Sequence, residues 1–412
     1  MTKRIKRLIR NTVSIFCCVI CLLQQSGCAS NGKHQPTVSP APDQKHAETA
    51  LPEPSSVPAG DLIMFVNVRK ADATIILSSG DCYIVDTGTA ESAPALLGAL
   101  NYLGIRSVKA VFITHSHSDH VGGLSTLLSC FPVETIYRAS ISNPKNGKQN
   151  PADKAAETAG KTTLQLSAGD TVAIGGSNRI TVLGPLELNT DDDNDNSLVL
   201  DLRMNGKKIL LAGDMQFAEE DTLIARYGAE LKTDVLRVGN HGNPDATGPA
   251  FASAADPDIV VISTDRTSDT DSANERVLSL FQGKQIYITD ESDAGYLLPL
   301  DASGETVPRN AIRTTDLDLE IMEVDKEKQT VMIRNNGADA DLSGCMLLSE
   351  KGNELFMFPD GAFLSSGATC TVSGEDGDGD YRWPGEKKPW NQKKDDRALL
   401  FDRFGYLLHA VN

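Results

Sequence analysis

The segment THSHSDH, residues 114–120, constrains the fold of this chain more than any other feature. The 412 residues contain only seven histidines, and three of them, His115, His117 and His120, lie within this segment beside Asp119. The apolar run AVFI directly before it predicts a buried strand. In an extended loop, residues two apart point the same way, so His115 and His117 can bind one ion while Asp119 and His120 reach a second. The chain must therefore build a rigid strand end that carries a metal site.

The N-terminus has the pattern of an export signal. Five basic residues in the first ten precede the apolar run Thr12–Leu23, which is too short to span a bilayer comfortably. The sequence SGCAS around Cys28 is similar to a bacterial lipoprotein cleavage site, although Gln25 replaces the usual aliphatic residue. We expect residues 1–27 to be a lipoprotein signal peptide and Cys28 to be lipidated at the bacterial cell membrane. An uncleaved anchor and simple secretion are the alternatives, and all three place the chain outside the cytoplasm.

Changes in composition and in the pattern of apolar residues divide the remaining sequence into four segments. Pro, Ala, Ser and Gln dominate residues 28–60, which predicts a flexible tether. Apolar runs alternating with helical periodicity over 61–305 predict a layered α/β domain. Residues 306–314 are predicted to be a linker, and short strands with turns over 315–412 predict a small all-β sandwich.

Several motifs resemble those of the metallo-β-lactamase superfamily. THSHSDH is similar to its histidine signature, IVDTG (Ile84–Gly88) to its early aspartate turn, LLAGD to the strand end with the bridging aspartate, and VGNHG to its last ligand motif. The resemblance implies an αββα sandwich with two divalent ions. It implies catalytic roles for Asp119 and Asp214, with Asp86 supporting the site through hydrogen bonds rather than as a ligand. The implied metal ligands are His115, His117, Asp119, His120, Asp214 and His241.

Within that superfamily, the domain resembles the hydrolase part of ComEC-type competence proteins. FVNVRKADATII parallels their strand–turn–strand opening, with Asn67 and Asp72 at matching polar positions, and DNDNSLVL, LRVGNHG and YITDESDAGYLL also fit. The resemblance implies cleavage of DNA.

Two positions depart from the superfamily pattern. No histidine lies between His120 and His241, so Asn196, Ser197 or water must fill the place of the usual third imidazole. A site poorer in nitrogen makes Mn²⁺ a candidate beside Zn²⁺. Asn240 stands where ComEC relatives often carry a histidine, which makes it a further supporting or substitute residue.

The C-terminal segment, residues 315–412, resembles a lamin-tail domain, an immunoglobulin-like sandwich that implies binding or tethering to DNA or a surface. The motifs are RNNG, DLSG, FPDG, LSSG and the Trp390 region. Near Trp383 and Trp390 lie the lysines at 387, 388, 393 and 394. Aromatic rings among cations can stack on bases and hold phosphates. The alternative is that both tryptophans pack on the sandwich.

Beyond Cys28, the cysteines are too widely spaced for a zinc knuckle or a disulfide framework. They are best interpreted as small buried side chains. A disulfide between Cys345 and Cys370 is the alternative in an oxidising compartment.

The sequence favours a surface-anchored dinuclear hydrolase of phosphodiesters, most specifically a nuclease acting on DNA. Hydrolysis of a lactam, lactone or other ester is the second hypothesis, and a non-catalytic surface binding protein the third. The net charge of −17 repels polyanions, but bound cations would offset it locally.

Overall fold

The computed structural model describes residues 60–144, 147–300 and 306–412. The predicted signal peptide, Cys28 and the tether up to residue 59 lie outside the described residues. No helix within the described ranges has the length and apolar character needed to cross a membrane.

Fifteen strands are described up to residue 311. They are β1 Leu62–Val66, β2 Thr74–Ser78, β3 Asp81–Val85, β4 Val108–Ile113, β5 Val133–Ala139, β6 Thr163–Leu166, β7 Thr171–Ala173, β8 Arg179–Gly184, β9 Val199–Met204, β10 Lys207–Leu211, β11 Val235–Arg237, β12 Ile259–Ile262, β13 Gln285–Ile288, β14 Gly295–Pro299 and β15 Arg309–Ala311. Central strands such as β1 and β12 are buried along their whole length, as expected of sheets covered on both faces.

These strands form two sheets. The first has the order β15-β14-β1-β2-β3-β4-β5-β6, and the second the order β13-β12-β11-β10-β9-β8-β7. Strands β3 to β6 run parallel to one another, as do β10 to β13. Each sheet thus combines a parallel half with antiparallel hairpins.

The described ranges contain seven α-helices, most of which cover the outer faces of the two sheets. They are α1 Ala93–Tyr102, α2 Ser118–Val121, α3 Leu124–Cys130, α4 Pro151–Thr158, α5 Phe217–Tyr227, α6 Pro249–Ala255 and α7 Glu275–Leu280. Helices α1, α3 and α4 share a core with the first sheet, and α5, α6 and α7 share one with the second. A third core lies between the sheets and contains Phe65 and Phe112 from one and Leu200 and Val261 from the other. The order of layers is helix, sheet, sheet, helix, which confirms the predicted αββα fold.

The helical segment that follows the histidine cluster is divided into α2 and α3 at Gly122 and Gly123. A side chain at Gly123 would lie 2.2 Å from the Thr87 carbonyl, so only glycine permits the close approach of the Thr87 turn. The predicted linker contains β15, which extends the first sheet by pairing with β14.

The residues beyond β15 are all β, as predicted. Their strands are β16 Leu319–Asp325, β17 Thr330–Asn335, β18 Ala340–Asp341, β19 Met346–Ser349, β20 Glu354–Met357, β21 Phe363–Leu364, β22 Thr369–Ser373, β23 Tyr381–Arg382, β24 Ala398–Phe401 and β25 Leu407–Val411. Two four-stranded sheets and one two-stranded sheet surround a single apolar core. Immunoglobulin-like or lamin-tail identity remains a prediction.

Both tryptophans of this region are part of that core. Trp383 and Trp390 are each only 2% exposed, and their rings meet edge to face with centroids 5.8 Å apart. They are therefore not available to stack on bases, and the packing alternative is the one observed. Cys345 and Cys370 are buried free thiols, so no disulfide joins them.

The C-terminal region packs directly on α1. Asn101 Nδ2 donates a hydrogen bond of 2.9 Å to the Arg403 carbonyl, and the Tyr102 and Phe404 rings meet edge to face. A Cβ atom at Gly98 would lie 2.3 Å from the backbone of Phe404. The absence of a side chain at Gly98 is what permits this contact.

Candidate metal centre

The candidate residues follow the carboxyl ends of strands in both sheets. In the first sheet, β3 leads to Asp86 and the parallel strand β4 leads to the histidine cluster. In the second sheet, β10 leads to Asp214 and the parallel strand β11 leads to His241. Because carboxyl ends of parallel strands share one edge, four loops converge on the same space between the sheets.

The carboxylate of Asp214 lies at the centre of three buried imidazoles. Its Oδ2 atom is 3.0 Å from Nε2 of His120, 3.5 Å from Nε2 of His241 and 3.9 Å from Nε2 of His115. All four side chains are nearly inaccessible to solvent. One oxygen surrounded by three nitrogens is the arrangement needed for a carboxylate that bridges two cations.

The other ring nitrogens fix the orientation of each imidazole. Nδ1 of His120 donates to Asp86 Oδ2 at 2.8 Å, and Nδ1 of His241 donates to the Ser263 carbonyl at 2.9 Å. Nδ1 of His115 lies 3.2 Å from the hydroxyls of Thr114 and Ser197. In all three rings Nε2 is left facing Asp214 without a hydrogen bond of ordinary geometry. Buried nitrogens in this state fit metal ligands, because burial without a partner is otherwise costly.

The remaining two predicted ligands complete the cluster on its more open side. The His117 ring is partly exposed, and its centroid lies 4.6 Å from that of His115. Asp119 Oδ2 lies 3.3 Å from Nε2 of His241. The structure thus brings together all six residues that were predicted as ligands. The His115 and His120 rings are also adjacent, with centroids 4.2 Å apart.

Asp86 accepts hydrogen bonds from two residues of the loop that carries the histidine cluster. One oxygen accepts from the Thr114 backbone N–H, and the other accepts from the Thr114 hydroxyl and from His120, each at 2.8 Å. Its backbone φ of 59° is rare for a residue other than glycine, so the local fold holds it in a strained conformation. These three hydrogen bonds hold Thr114, which follows β4, and the His120 ring in position.

Neither candidate for the missing third histidine faces the site. The Asn196 amide is buried and bonds to Asn189 and Asp193 within its own loop. The Ser197 hydroxyl accepts from the Asp214 backbone N–H at 3.0 Å and lies behind the His115 ring. The substitute-ligand role that was considered for Asn196 is therefore not supported.

Asn240 also turns away from the imidazoles. Its Nδ2 donates to Asp245 Oδ1 at 2.9 Å, and its backbone N–H donates to the Gly213 carbonyl. It thus supports the turn that carries His241. Both residues of that turn have positive φ, 42° at Asn240 and 55° at His241, which aims the imidazole into the site.

Two buried charged residues join the site without having been predicted as parts of it. Arg237, at the end of β11, forms an ion pair with Asp72 and donates to the Gly213 carbonyl. Its Nη1 atom lies 3.9 Å from Asp214 Oδ1. One indication of this role in the sequence is that the short strand β11 has two apolar residues followed by an arginine at its C-terminal end.

Asp72 lies close enough to His120, Asp214 and His241 to be considered a ligand. Its nearest imidazole nitrogen, however, is Nδ1 of His120 at 3.7 Å, which already donates to Asp86. An ion held by Nε2 would lie on the opposite side of that ring. We therefore assign Asp72 to Arg237 rather than to a metal.

Charge interactions within the cluster are strong. Burial opposes ionisation of Asp214, but His120 and His241 hold the pKa of its carboxyl well below the usual value. Burial and the neighbouring His120 lower the pKa of His115 well below its ordinary value. Against the opposing effect of burial, Asp214 raises the pKa of His120 well above its ordinary value and also raises that of His241, so a cation that binds these two rings would displace their protons.

Residues 66–265 match the family described as the metallo-beta-lactamase superfamily. Among curated proteins, ComE operon protein 3 of Bacillus subtilis is 29% identical over 241 residues, which are 56% of this chain and 30% of that protein. Competence protein ComA of Neisseria gonorrhoeae is 26% identical over 213 residues, 51% of this chain and 28% of that protein. A hydroxyacylglutathione hydrolase of Yersinia enterocolitica is 38% identical over 104 residues, 25% of this chain and 34% of that protein. The chain thus spans about a third or less of the length of these relatives.

Among solved structures, the metallo-beta-lactamase fold protein YhfI of Bacillus subtilis aligns with a TM-score of 0.39 at 11% identity. The alignment covers 58% of this chain and 99% of YhfI.

Proposed function

Since residues 66–265 form a metallo-β-lactamase domain, we propose that this protein is a dinuclear metallohydrolase that cleaves phosphodiester bonds in DNA. The observation that carries the proposal is the position of Asp214 Oδ2 within 3.9 Å of three unpartnered imidazole nitrogens. A structural cluster of buried histidines would satisfy these nitrogens with protein acceptors.

The donor set fits two divalent ions. His115, His117 and Asp214 would hold one, and Asp119, His120, His241 and Asp214 would hold the other. Bound there, two such ions supply Lewis acidity towards the substrate oxygen and lower the pKa of a water molecule. The first position has only two nitrogens because no third histidine is present, which favours Mn²⁺ beside Zn²⁺.

A carboxylate of the chain would orient the attacking water. The Asp119 side chain is 24% exposed, whereas that of Asp214 is 3% exposed, so Asp119 is the carboxylate that solvent and substrate can reach. Although burial opposes it, His241 and His120 hold the pKa of Asp119 below its usual value. It is thus ionised at neutral pH and can hold a water molecule by accepting a hydrogen bond.

DNA is proposed as substrate because one relative is named as a competence protein, and because the sequence resembles the hydrolase part of ComEC-type competence proteins. The similarity to a hydroxyacylglutathione hydrolase supports a second candidate function, hydrolysis of a thioester or another ester. Parallel assays with DNA, bis(p-nitrophenyl) phosphate, a lactam and a glutathione thioester decide between them. We expect cleavage of both phosphodiesters and its loss in His117→Ala. Cleavage of only the lactam or thioester would reject the nuclease proposal.

Metal content provides an independent test. Elemental analysis should find two ions per chain after loading with Zn²⁺ or Mn²⁺, and fewer in Asp214→Ala with an unchanged circular dichroism spectrum. A folded wild type that retains no metal would instead favour a non-catalytic surface binding protein.

We also propose that the protein is anchored through Cys28 outside the cytoplasm. Cys28→Ala should move the protein from the membrane fraction to the medium, or leave an unprocessed precursor. Identical fractionation and mass of the two proteins would reject lipidation.

The C-terminal region is proposed to hold DNA or a surface through its exposed lysines, since both tryptophans are buried. Changing Lys387, Lys388, Lys393 and Lys394 to alanine should weaken binding of long DNA. It should leave hydrolysis of bis(p-nitrophenyl) phosphate unchanged, because the chemistry belongs to the other domain. Equal DNA binding by the two proteins would reject this role.

A further inference from the structure

The turn between β1 and β2 lies against the helix that carries two candidate ligands. The Asp72 backbone N–H donates to the Asp119 carbonyl at 3.0 Å, and Asn67 Nδ2 donates to the Ser292 carbonyl at 2.8 Å. Both ends of the turn are thus fixed. The residues between them, Arg69 and Lys70, are held at the rim of the metal centre.

Both cations reach across to the loop that follows β12. Arg69 Nη1 lies 3.5 Å from Asp265 Oδ2, and Lys70 Nζ lies 3.0 Å from Asp269 Oδ2. The same loop supports His241, because the Ser263 carbonyl accepts from its imidazole. The two cations therefore lie between the β1–β2 turn and the loop after β12, which supports His241.

The two cations differ in exposure. Lys70 is held by Asp269 at the rim of the site, and although burial opposes it, Asp269, Asp119 and Asp214 together raise the pKa of the ammonium. Arg69, the residue before it, is 82% exposed in its side chain and has a backbone φ of 63°. Lys70 is thus partly enclosed by carboxylates, and Arg69 projects into solvent.

We propose that Arg69 and Lys70 form an anion-binding subsite for a phosphate of DNA adjacent to the scissile one. This inference rests on the proposed phosphodiesterase function and names how that site would hold a polymer. With a net charge of −17, the chain repels DNA at long range, so local cations must supply the attraction. A phosphate can reach the Arg69 guanidinium from solvent because 82% of that side chain is exposed, while the pairs with the largely buried Asp265 and Asp269 keep both cations in place.

The experiment compares wild type with Arg69→Ala/Lys70→Ala in the full mature chain. Binding of a labelled single-stranded oligonucleotide is measured by anisotropy against salt concentration, with metal removed so that no cleavage occurs. Each lost phosphate contact lowers the salt slope by about 0.7, so we expect a decrease of about 1.4 for the pair. Loss of two charge-assisted contacts should also weaken binding about tenfold or more.

A matched control keeps the change in charge and moves it elsewhere. Arg203 and Lys232 also pair with aspartates, at 3.2 and 2.6 Å, but Arg203 lies near the C-terminal end of β9 and Lys232 precedes β11, away from the strand ends that lead to Asp214 and His241. Arg203→Ala/Lys232→Ala should bind the oligonucleotide as wild type does. If both variants lose the same amount of binding affinity, the effect comes from net charge alone and the proposed subsite is wrong.

Kinetics with metal bound separate the outcomes further. We expect KM for the oligonucleotide to rise about tenfold in Arg69→Ala/Lys70→Ala, with hydrolysis of bis(p-nitrophenyl) phosphate unchanged, because that substrate has no adjacent phosphate. An equal loss on both substrates would place the cations at the scissile phosphate and overturn the inference. If wild type cleaves and binds DNA and the variant matches it, the inference alone fails. If wild type neither binds nor cleaves DNA, the proposed function fails with it.

Discussion

The ion pair between Arg237 and Asp72 gives the sharpest test of how the metal centre is supported. Arg237 is 3% exposed and Asp72 is 4% exposed, so each charge depends on the other for compensation. Burial lowers the pKa of the guanidinium to about 9, which still leaves it charged at neutral pH. Arg237→Met removes the cation and leaves two buried carboxylates, Asp72 and Asp214, without it.

The magnitude follows from the distances. Two unit charges about 4 Å apart interact by about 4 kcal/mol at an effective dielectric constant of about 20, and Arg237 Nη1 lies 3.9 Å from Asp214 Oδ1. Breaking a buried pair by removing one partner costs about 3–5 kcal/mol. We therefore expect Arg237→Met to lower the free energy of unfolding by that amount. Adding Asp72→Asn to it should restore at least about 2 kcal/mol, because the uncompensated carboxylate is then neutral.

Urea unfolding followed by circular dichroism, in EDTA, measures all four members of this cycle without a contribution from bound metal. Repeating it with Zn²⁺ or Mn²⁺ should reduce the cost of Arg237→Met, because bound cations would replace the lost positive charge near Asp214. A cost below about 1 kcal/mol for Arg237→Met, or a double variant whose cost is the sum of the single ones, would refute this account of the pair.

Three further predictions address other supports of the fold. Asp86→Asn should weaken metal binding about 10–100-fold in a competition assay with a chelator, because His120 loses its charged acceptor, and unchanged affinity would contradict the assignment. Gly98→Ala should lower the free energy of unfolding in urea by about 1–3 kcal/mol, because the new methyl group would clash with the Phe404 backbone. An unchanged free energy of unfolding would show that the Phe404 segment can move away without cost. Burial raises the pKa of Glu219 to about 7 from an ordinary 4.5, so the folded state binds its proton more tightly and stability is lost as pH rises from about 4.5 to 7. The decline of Tm over that range should be shallower in Glu219→Gln, and an unchanged decline would assign it to other groups.

The sequence by itself determined the parts of the site that depend on local spacing and strand ends. His115, His117, Asp119 and His120 lie within six residues shortly after β4, so any fold that buries this strand presents them together. Asp214 and His241 also follow directly on strand-forming runs, and parallel strands bring their carboxyl ends to one edge. Alternation of apolar strands with helical periodicity likewise predicted a layered α/β domain, and the resemblance to the metallo-β-lactamase superfamily implied the αββα order of its layers.

Only the tertiary structure decided which polar groups face the site and which support it. Asp72 and Arg237 are far apart in the chain, and nothing local shows that their charges meet. Asn196 is next to Ser197 in sequence, yet its amide turns into its own loop while the Ser197 hydroxyl meets the Asp214 backbone.

The C-terminal region shows the same division between local pattern and burial. Its turns and short apolar runs predicted strands correctly, but the lysines around Trp390 suggested a nucleic-acid surface as readily as a packed loop. Burial of both indoles in the β core removed the stacking interpretation. Strand positions follow from local alternation of side chains, whereas the environment of a large side chain depends on residues that only the folded chain brings next to it.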